Sequence, residues 1–190
     1  MFIQTEATPN PATLKFLPGQ TVLESGSADF RDQESAANSP LALRMFEIPG
    51  VTGVFLGYDF VTITKGDEDS DGFDWPHLKP AILGAIMEHY SSGQPALIDG
   101  AIPNPSEGEF FDEKDAKIVE TIKELLETRV RPAVAQDGGD ITFQGFREGT
   151  VYLQMKGACA GCPSSTATLK HGVQNLLRHF IPEVEEVEAV

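Results

Sequence analysis

Residues 91–111 constrain this 190-residue chain most, because they divide it. The run from Ser91-Ser92-Gly93-Gln94-Pro95 to Pro103-Asn104-Pro105-Ser106-Glu107-Gly108 is rich in proline, glycine and serine and has no sustained periodicity, as a linker does. Each flank must then bury a small core of its own. Charge also divides unevenly. Residues 1–90 carry 5 basic and 13 acidic groups, net −8, whereas residues 112–190 carry 9 and 13, net −4. The expected organisation is an N-terminal domain at 1–90, a linker at 91–111 and a C-terminal domain at 112–190. Both domains read as α+β.

In the first domain, Phe2-Ile3-Gln4 and Leu14-Lys15-Phe16 are short strand candidates separated by the Pro9-Asn10-Pro11 turn. Ser39 followed by Pro40 opens a short helix, with serine as N-cap and proline at the first helical position. Residues 51–55 and 60–64 are rich in β-branched and aromatic side chains and flank Gly57-Tyr58-Asp59, which makes a hairpin. Leu78, Ile82 and Ile86, with His89 or Tyr90, recur at helical spacing over 75–90.

The second domain reads α-β-β-α-β. Ile118, Ile122, Leu125 and Leu126 recur at helical spacing from 112 to about 135, and Pro132 kinks or ends that helix. Asp137-Gly138-Gly139-Asp140 is a sharp turn. Strands at 141–146 and 151–155 pair through a turn at 147–150. A helix opened by Pro163 runs to about His179, packed by Leu169, Val173, Leu176 and Leu177, and Val184 and Val187 begin a last strand.

Between the second strand and that helix lies Gly157-Ala158-Cys159-Ala160-Gly161-Cys162-Pro163-Ser164-Ser165, which holds both cysteines of the chain. Two thiols at i and i+3, in a glycine-divided loop that runs into a helix start, are not filler among apolar side chains. Glycines let backbone approach a bound group, and a helix N-terminus beside Cys162 lowers a thiol pKa, with Lys156 adding field of the same sign. Spacing alone leaves three chemistries open: zinc, an iron–sulfur cluster and a reversible disulfide. The antiparallel hairpin ahead of the pair weighs against a thioredoxin-like layer. Two thiolates rarely complete a tetrahedral site, so a four-sulfur group requires two chains giving two sulfurs each, a symmetric dimer formed around the metal.

Other patterns carry less. Asp67, Asp69, Asp71 and Gly72 match the first half of a calcium-binding loop, but the twelfth position is Leu78 and Pro76 interrupts it. Asp137 and Asp140 are turn formers, with Asp140 capping backbone N–H groups. His171, two turns into the cysteine helix, reads as a surface or packing residue. Phe143, Phe146 and Tyr152 read as sheet core. No residue pattern points to a catalytic group. A net charge of −15 and pI near 4.5 exclude nucleic acid and anionic lipid as partners. No apolar run reaches the length of a membrane span. Two cysteines without a disulfide framework favour a reduced, intracellular setting. Residues 1–6 lack signal or transit-peptide character, so the expectation is a bacterial-type cytoplasm, or a mitochondrial matrix if a transit peptide has been removed.

The C-terminal domain resembles the NifU-like domain of Nfu-type iron–sulfur cluster scaffold and carrier proteins. The resemblance is carried by Arg129-Val130-Arg131-Pro132, Asp137-Gly138-Gly139-Asp140, the cysteine run through Ser165, Thr168-Leu169-Lys170 and Pro182-Glu183-Val184. The N-terminal domain resembles the Nfu N-terminal domain through Thr8-Pro9-Asn10-Pro11, Leu14-Lys15-Phe16, Ser39-Pro40-Leu41-Ala42 and residues 59–65. The resemblance implies a 4Fe-4S cluster bridged between two subunits by Cys159 and Cys162 of each. It implies cluster transfer to apo iron–sulfur proteins, supply by upstream cluster-assembly proteins, and an N-terminal domain that docks partners. A thiol–disulfide oxidoreductase using the same pair, or a structural zinc-bridged dimer, are the alternatives.

Overall fold

The computed structural model describes residues 1–66, 73–98, 107–160 and 162–190, with backbone alone at 163 and 165. The acidic run Asp67, Asp69, Asp71 and Gly72 lies outside the described residues, as does Gly161. The chain forms two compact units, Met1–Pro103 and Asn104–Val190.

In the first unit, β1 (Gln4–Ala7), β2 (Thr13–Leu17), β3 (Ala28–Phe30), β4 (Val51–Leu56) and β5 (Val61–Lys65) form one antiparallel sheet in the order β1-β2-β5-β4-β3. The two-residue period of a strand sends Phe16, Val54, Leu56, Val61 and Ile63 to one core. Helices α1 (Pro40–Phe46) and α2 (Trp75–Ser92) join them there with Leu41, Met45, Leu78, Ile82 and Ile86. Each such side chain taken out of water contributes roughly 1.5–3 kcal/mol before conformational entropy is set against it. The Ser39 cap forms as expected: the Ala42 amide donates to Ser39 Oγ at 3.1 Å. The hydroxyl also donates to the Ala96 carbonyl at 2.6 Å.

The segment after residue 90 differs from the sequence reading. Helix α2 continues through Ser92 to a left-handed Gly93 cap, and Ala96 and Leu97 are core residues although they fall in the expected linker. The segment is held by bonds to residues far away in sequence: the Ala96 carbonyl accepts from Ser39, and the Ile98 amide donates to the Asn38 carbonyl at 2.9 Å. Strand β1 lies at Gln4–Ala7 rather than 2–4, a shift set by its register against β2, Gln4 facing Leu17. Strand β3 has no counterpart in the sequence reading: three residues are too short for a period to show.

In the second unit a 3-10 turn (Glu113–Asp115) leads into α3 (Ala116–Leu125), a π turn (Leu126–Val130) and α4 (Arg131–Gln136). Then follow β6 (Gly139–Arg147), β7 (Thr150–Gly157), α5 (Pro163–Phe180) and β8 (Glu186–Ala189), the expected α-β-β-α-β order. Proline 132 cannot donate to the carbonyl four residues back, and the helix widens just ahead of it, with the Arg131 amide bonding the Leu126 carbonyl. Strand β6 pairs antiparallel with β7 through a tight turn in which Glu148 and Gly149 both have positive φ, 50° and 79°. Strand β8 returns through α5 to lie parallel to β7. The core gathers Ile122, Leu126, Ile141, Leu153, Leu177 and Val187, with Phe143 and Phe146 in it as expected, whereas Tyr152 is half-buried on the other face of β7 against Phe110. Among the described residues no helix is long and apolar enough to cross a membrane.

Candidate metal centre

The cysteine loop joins the end of β7 to the start of α5, and the Asp137–Asp140 turn supports it from below. Gly139 and Gly157 face each other at the end of the β6–β7 ladder, and Asp140 stands opposite Lys156. The Ala158 amide donates to the Gly138 carbonyl at 3.2 Å, so loop and turn are tied by backbone. The Ala160 amide donates back to Gly157 at 3.1 Å, and Gly157 holds φ at 67°, a left-handed value that suits glycine.

Gly139 matters for a different reason. A Cβ at this position would lie 2.6 Å from the Lys156 carbonyl oxygen and 2.8 Å from Cys159 Sγ. The Cys159 sulfur therefore packs directly on a backbone bare of side chain. Cys159 is 7% exposed and belongs to the core of the unit, while Cys162 is half-buried at the N-cap of α5. Cys162 Sγ lies 3.5 Å from Ser164 Oγ. Thr166 closes the loop over the helix start: its hydroxyl donates to the Cys159 carbonyl at 3.0 Å and its amide to the Cys162 carbonyl at 2.9 Å.

The turn is braced in its own right. Arg131 donates two hydrogen bonds to Asp140, Nε to Oδ1 at 2.8 Å and Nη2 to Oδ2 at 2.9 Å, and its third arm meets Glu127. Asp140 Oδ1 also accepts from the Ile141 amide at 2.8 Å, which realises the expected cap. Its side chain is 7% exposed. A fork-to-fork pair of this kind fixes geometry as well as charge. The Asp140 hydrogen bonds hold Arg131 above its ordinary pKa, against the opposing effect of burial.

The expectation of a lowered thiol pKa concerned Cys162; the electrostatics of Cys159 run the other way. Burial pushes the Cys159 thiol up to about 11, and Asp137, Asp140 and Cys162 push the same way. The helix start is adjacent to Cys162, whereas Cys159 sits against the acidic turn. Lys170 pairs with Glu188 at 3.7 Å, and His171 is exposed. The structure thus brings together both cysteines, the Asp-Gly-Gly-Asp turn and the start of α5. Sequence reasoning missed the Arg131 brace and the Thr166 bond. The second had a local signal, a threonine four residues past the N-cap in the first helical turn.

Among the described residues, no group of three or more His, Cys, Asp or Glu side chains could hold a metal ion. What the loop offers is two thiols, soft ligands suited to iron–sulfur clusters and zinc.

Residues 3–93 match the family described as scaffold protein Nfu/NifU N terminal, and residues 122–188 match the NifU-like domain. A protein of Arabidopsis thaliana named NifU-like protein 4, mitochondrial, is 52% identical over 99% of this chain and 65% of its own length. A human protein named NFU1 iron-sulfur cluster scaffold homolog, mitochondrial, is 50% identical over the whole of this chain and 72% of its own length. The chain thus spans about two thirds of the length of these relatives. A NifU-like protein from Saccharomyces cerevisiae, solved in solution, aligns with 52% of this chain and 86% of its own at 28% identity and a TM-score of 0.46. The relatives' names carry the word mitochondrial and lend no support to the cytoplasmic expectation. With both halves matched in order and half of all positions identical to a scaffold protein, the chain belongs to the Nfu/NifU scaffold-protein family.

Proposed function

We propose that this chain is an iron–sulfur cluster carrier whose cargo is a 4Fe-4S cluster held between two copies, Cys159 and Cys162 of each supplying the four sulfurs. The observation that carries the reading is the pair itself: two thiols on one loop, tied to a braced turn, with no third metal-ligating side chain grouped with them among the described residues. Four thiolates then require two chains, and the dimer forms around the cluster. Iron–sulfur cluster scaffold is also what the human relative's name states.

Delivery is ligand exchange. A thiolate of an apo iron–sulfur protein bonds iron, one Fe–S bond to Cys159 or Cys162 breaks, and the released thiolate takes up a proton. Repeated once for each of the four cysteine ligands, this exchange conserves electrons, so no redox partner is needed. Both cysteines act as ligands, and no residue is assigned a catalytic role. Upstream cluster-assembly proteins load the site, and the N-terminal unit docks partners. Neither nucleic acid nor membrane is a partner, as the net charge of −15 supports. The compartment is one that keeps thiols reduced. The relatives' names favour the mitochondrial matrix alternative for this family member over the cytoplasm.

The test is anaerobic reconstitution with iron and sulfide, followed by incubation with an apo-protein that needs a 4Fe-4S cluster. The expected result is a brown protein that turns its recipient active and loses its own visible absorbance. A colourless protein that reduces disulfides would mean the oxidoreductase alternative, and a colourless zinc-bearing dimer the structural one.

A further inference from the structure

The two cysteines of the loop are held differently. Cys159 is 7% exposed, and its sulfur rests where a Cβ on Gly139 would come within 2.8 Å of it. Its carbonyl accepts from the Thr166 hydroxyl at 3.0 Å, and the Ala158 amide just ahead of it is tied to Gly138 at 3.2 Å. Main chain and sulfur are thus both seated against the Asp137–Asp140 turn. Cys162 is half-buried at the N-cap of α5, and its sulfur has a hydroxyl for a neighbour, Ser164 Oγ at 3.5 Å.

That contact gains a direction once Cys162 is a ligand. Between a thiol and an alcohol either atom can donate, but a thiolate has no hydrogen to give, so the Ser164 hydroxyl donates and the sulfur accepts. Hydrogen bonds strengthen with charge on the acceptor, and the charge on this sulfur grows as its bond to iron breaks. The Ser164 bond therefore stabilises the departing thiolate more than the bound one, which is the condition for speeding departure. The positive end of α5 acts in the same sense. Charge returned to Cys159 instead would fall on a buried sulfur beside an acidic turn, where water solvates it poorly.

We infer that the cargo leaves in a fixed order: Cys162 of each copy is exchanged first, with Ser164 as the positioning residue at its sulfur, and Cys159 is the last tether. This rests on reading the pair as cluster ligands. In the first step the recipient's thiolate gives an electron pair to iron. The Fe–S bond to Cys162 breaks with its pair going to sulfur, and the freed thiolate, hydrogen-bonded by Ser164, takes a proton from water. The same exchange then follows at Cys159, and no oxidation state changes in either step.

The test uses the full chain loaded anaerobically with iron and sulfide, and an apo-protein that takes a 4Fe-4S cluster. Ser164→Ala should load as much iron as the unsubstituted protein and pass it on about five- to tenfold more slowly. Its cluster should also have a lower reduction potential, because reduction adds negative charge that the lost hydrogen bond had stabilised. Ser164→Thr, which keeps the hydroxyl, should restore both. Iodoacetamide added early in transfer should label Cys162 in pairs that still hold the cluster, and Cys159 only once it is gone, as read by native mass spectrometry with peptide mapping. Label on Cys159 in a cluster-bearing pair, or a Ser164→Ala variant with unchanged rate and potential, would each overturn the inference. An unsubstituted protein that takes up no cluster would overturn the carrier reading and this order with it, and iron content separates that failure from a failure of the order alone.

Discussion

Gly139 is the position where the cysteine loop has least room. Any side chain there meets the Lys156 carbonyl and the Cys159 sulfur, neither of which can retreat without opening the ladder end. Gly139→Ala is expected to cost about 1–3 kcal/mol through overpacking and to push Cys159 off its seat. The check is a melting temperature together with iron bound per chain after reconstitution, both of which should fall. Asp140→Asn removes one charge of a mostly buried pair and leaves Arg131 with a weaker partner. A loss of about 2–3 kcal/mol is expected, below the full cost of a buried pair because Arg131 is partly solvated. Chemical denaturation checks it, and Arg131→Lys, which cannot fork, should fall between the unsubstituted protein and Asp140→Asn. At this scale the sequence was partly legible. The cysteines, the glycines and the Asp140 cap all follow from residue type and spacing. The Arg131 fork did not, because its partner lies nine residues away across a turn. The direction of the Cys159 shift did not either, because a helix start is visible in sequence and burial is not.

At the scale of elements, helix α2 carries a stability device tied to pH. His89 is fully buried on its core face, neither ring nitrogen has a hydrogen-bond partner in the structure, and its ring stands edge-on to Tyr90 at 5.3 Å. Burial lowers its pKa below the ordinary value, and Arg44 on α1 adds to the effect, itself paired with Glu88 at 3.2 Å. The unfolded chain therefore binds a proton that the folded unit refuses, and stability rises with pH across that interval. As pH falls from about 6.5 toward the depressed value, the N-terminal unit should lose stability. Trp75 lies in this unit, so urea titrations followed by its fluorescence at pH 7 and pH 5 measure the effect. His89→Phe should flatten the dependence in that window, and an unchanged slope would remove His89 as its cause. The helix itself was plain from Leu78, Ile82 and Ile86. The placement of Ala96 after α2 and the start of β1 were not, because a long-range bond from Ser39 and the register against β2 fix them.

For the molecule as a whole, the α+β class and its two-domain division followed from composition and period, since the proline-rich run breaks both at once. The α-β-β-α-β order of the second unit was legible for the same reason, each switch of period being marked by glycine or proline. What one chain's sequence expresses only indirectly is the proposed half-site character of its metal centre. Cluster binding should stabilise the C-terminal unit by mass action, so the loaded protein should unfold at higher temperature than the same sample treated with an iron chelator. Differential scanning calorimetry under argon checks this, and identical traces would count against cluster binding by the folded unit.

Native mass spectrometry of anaerobically loaded protein tests the central claim most directly. Two chains with a single Fe4S4 mass between them are expected, giving way to bare monomers when Cys159 and Cys162 are both serine. Iron retained on a lone chain, or retained undiminished by the double-serine variant, would contradict the shared cage.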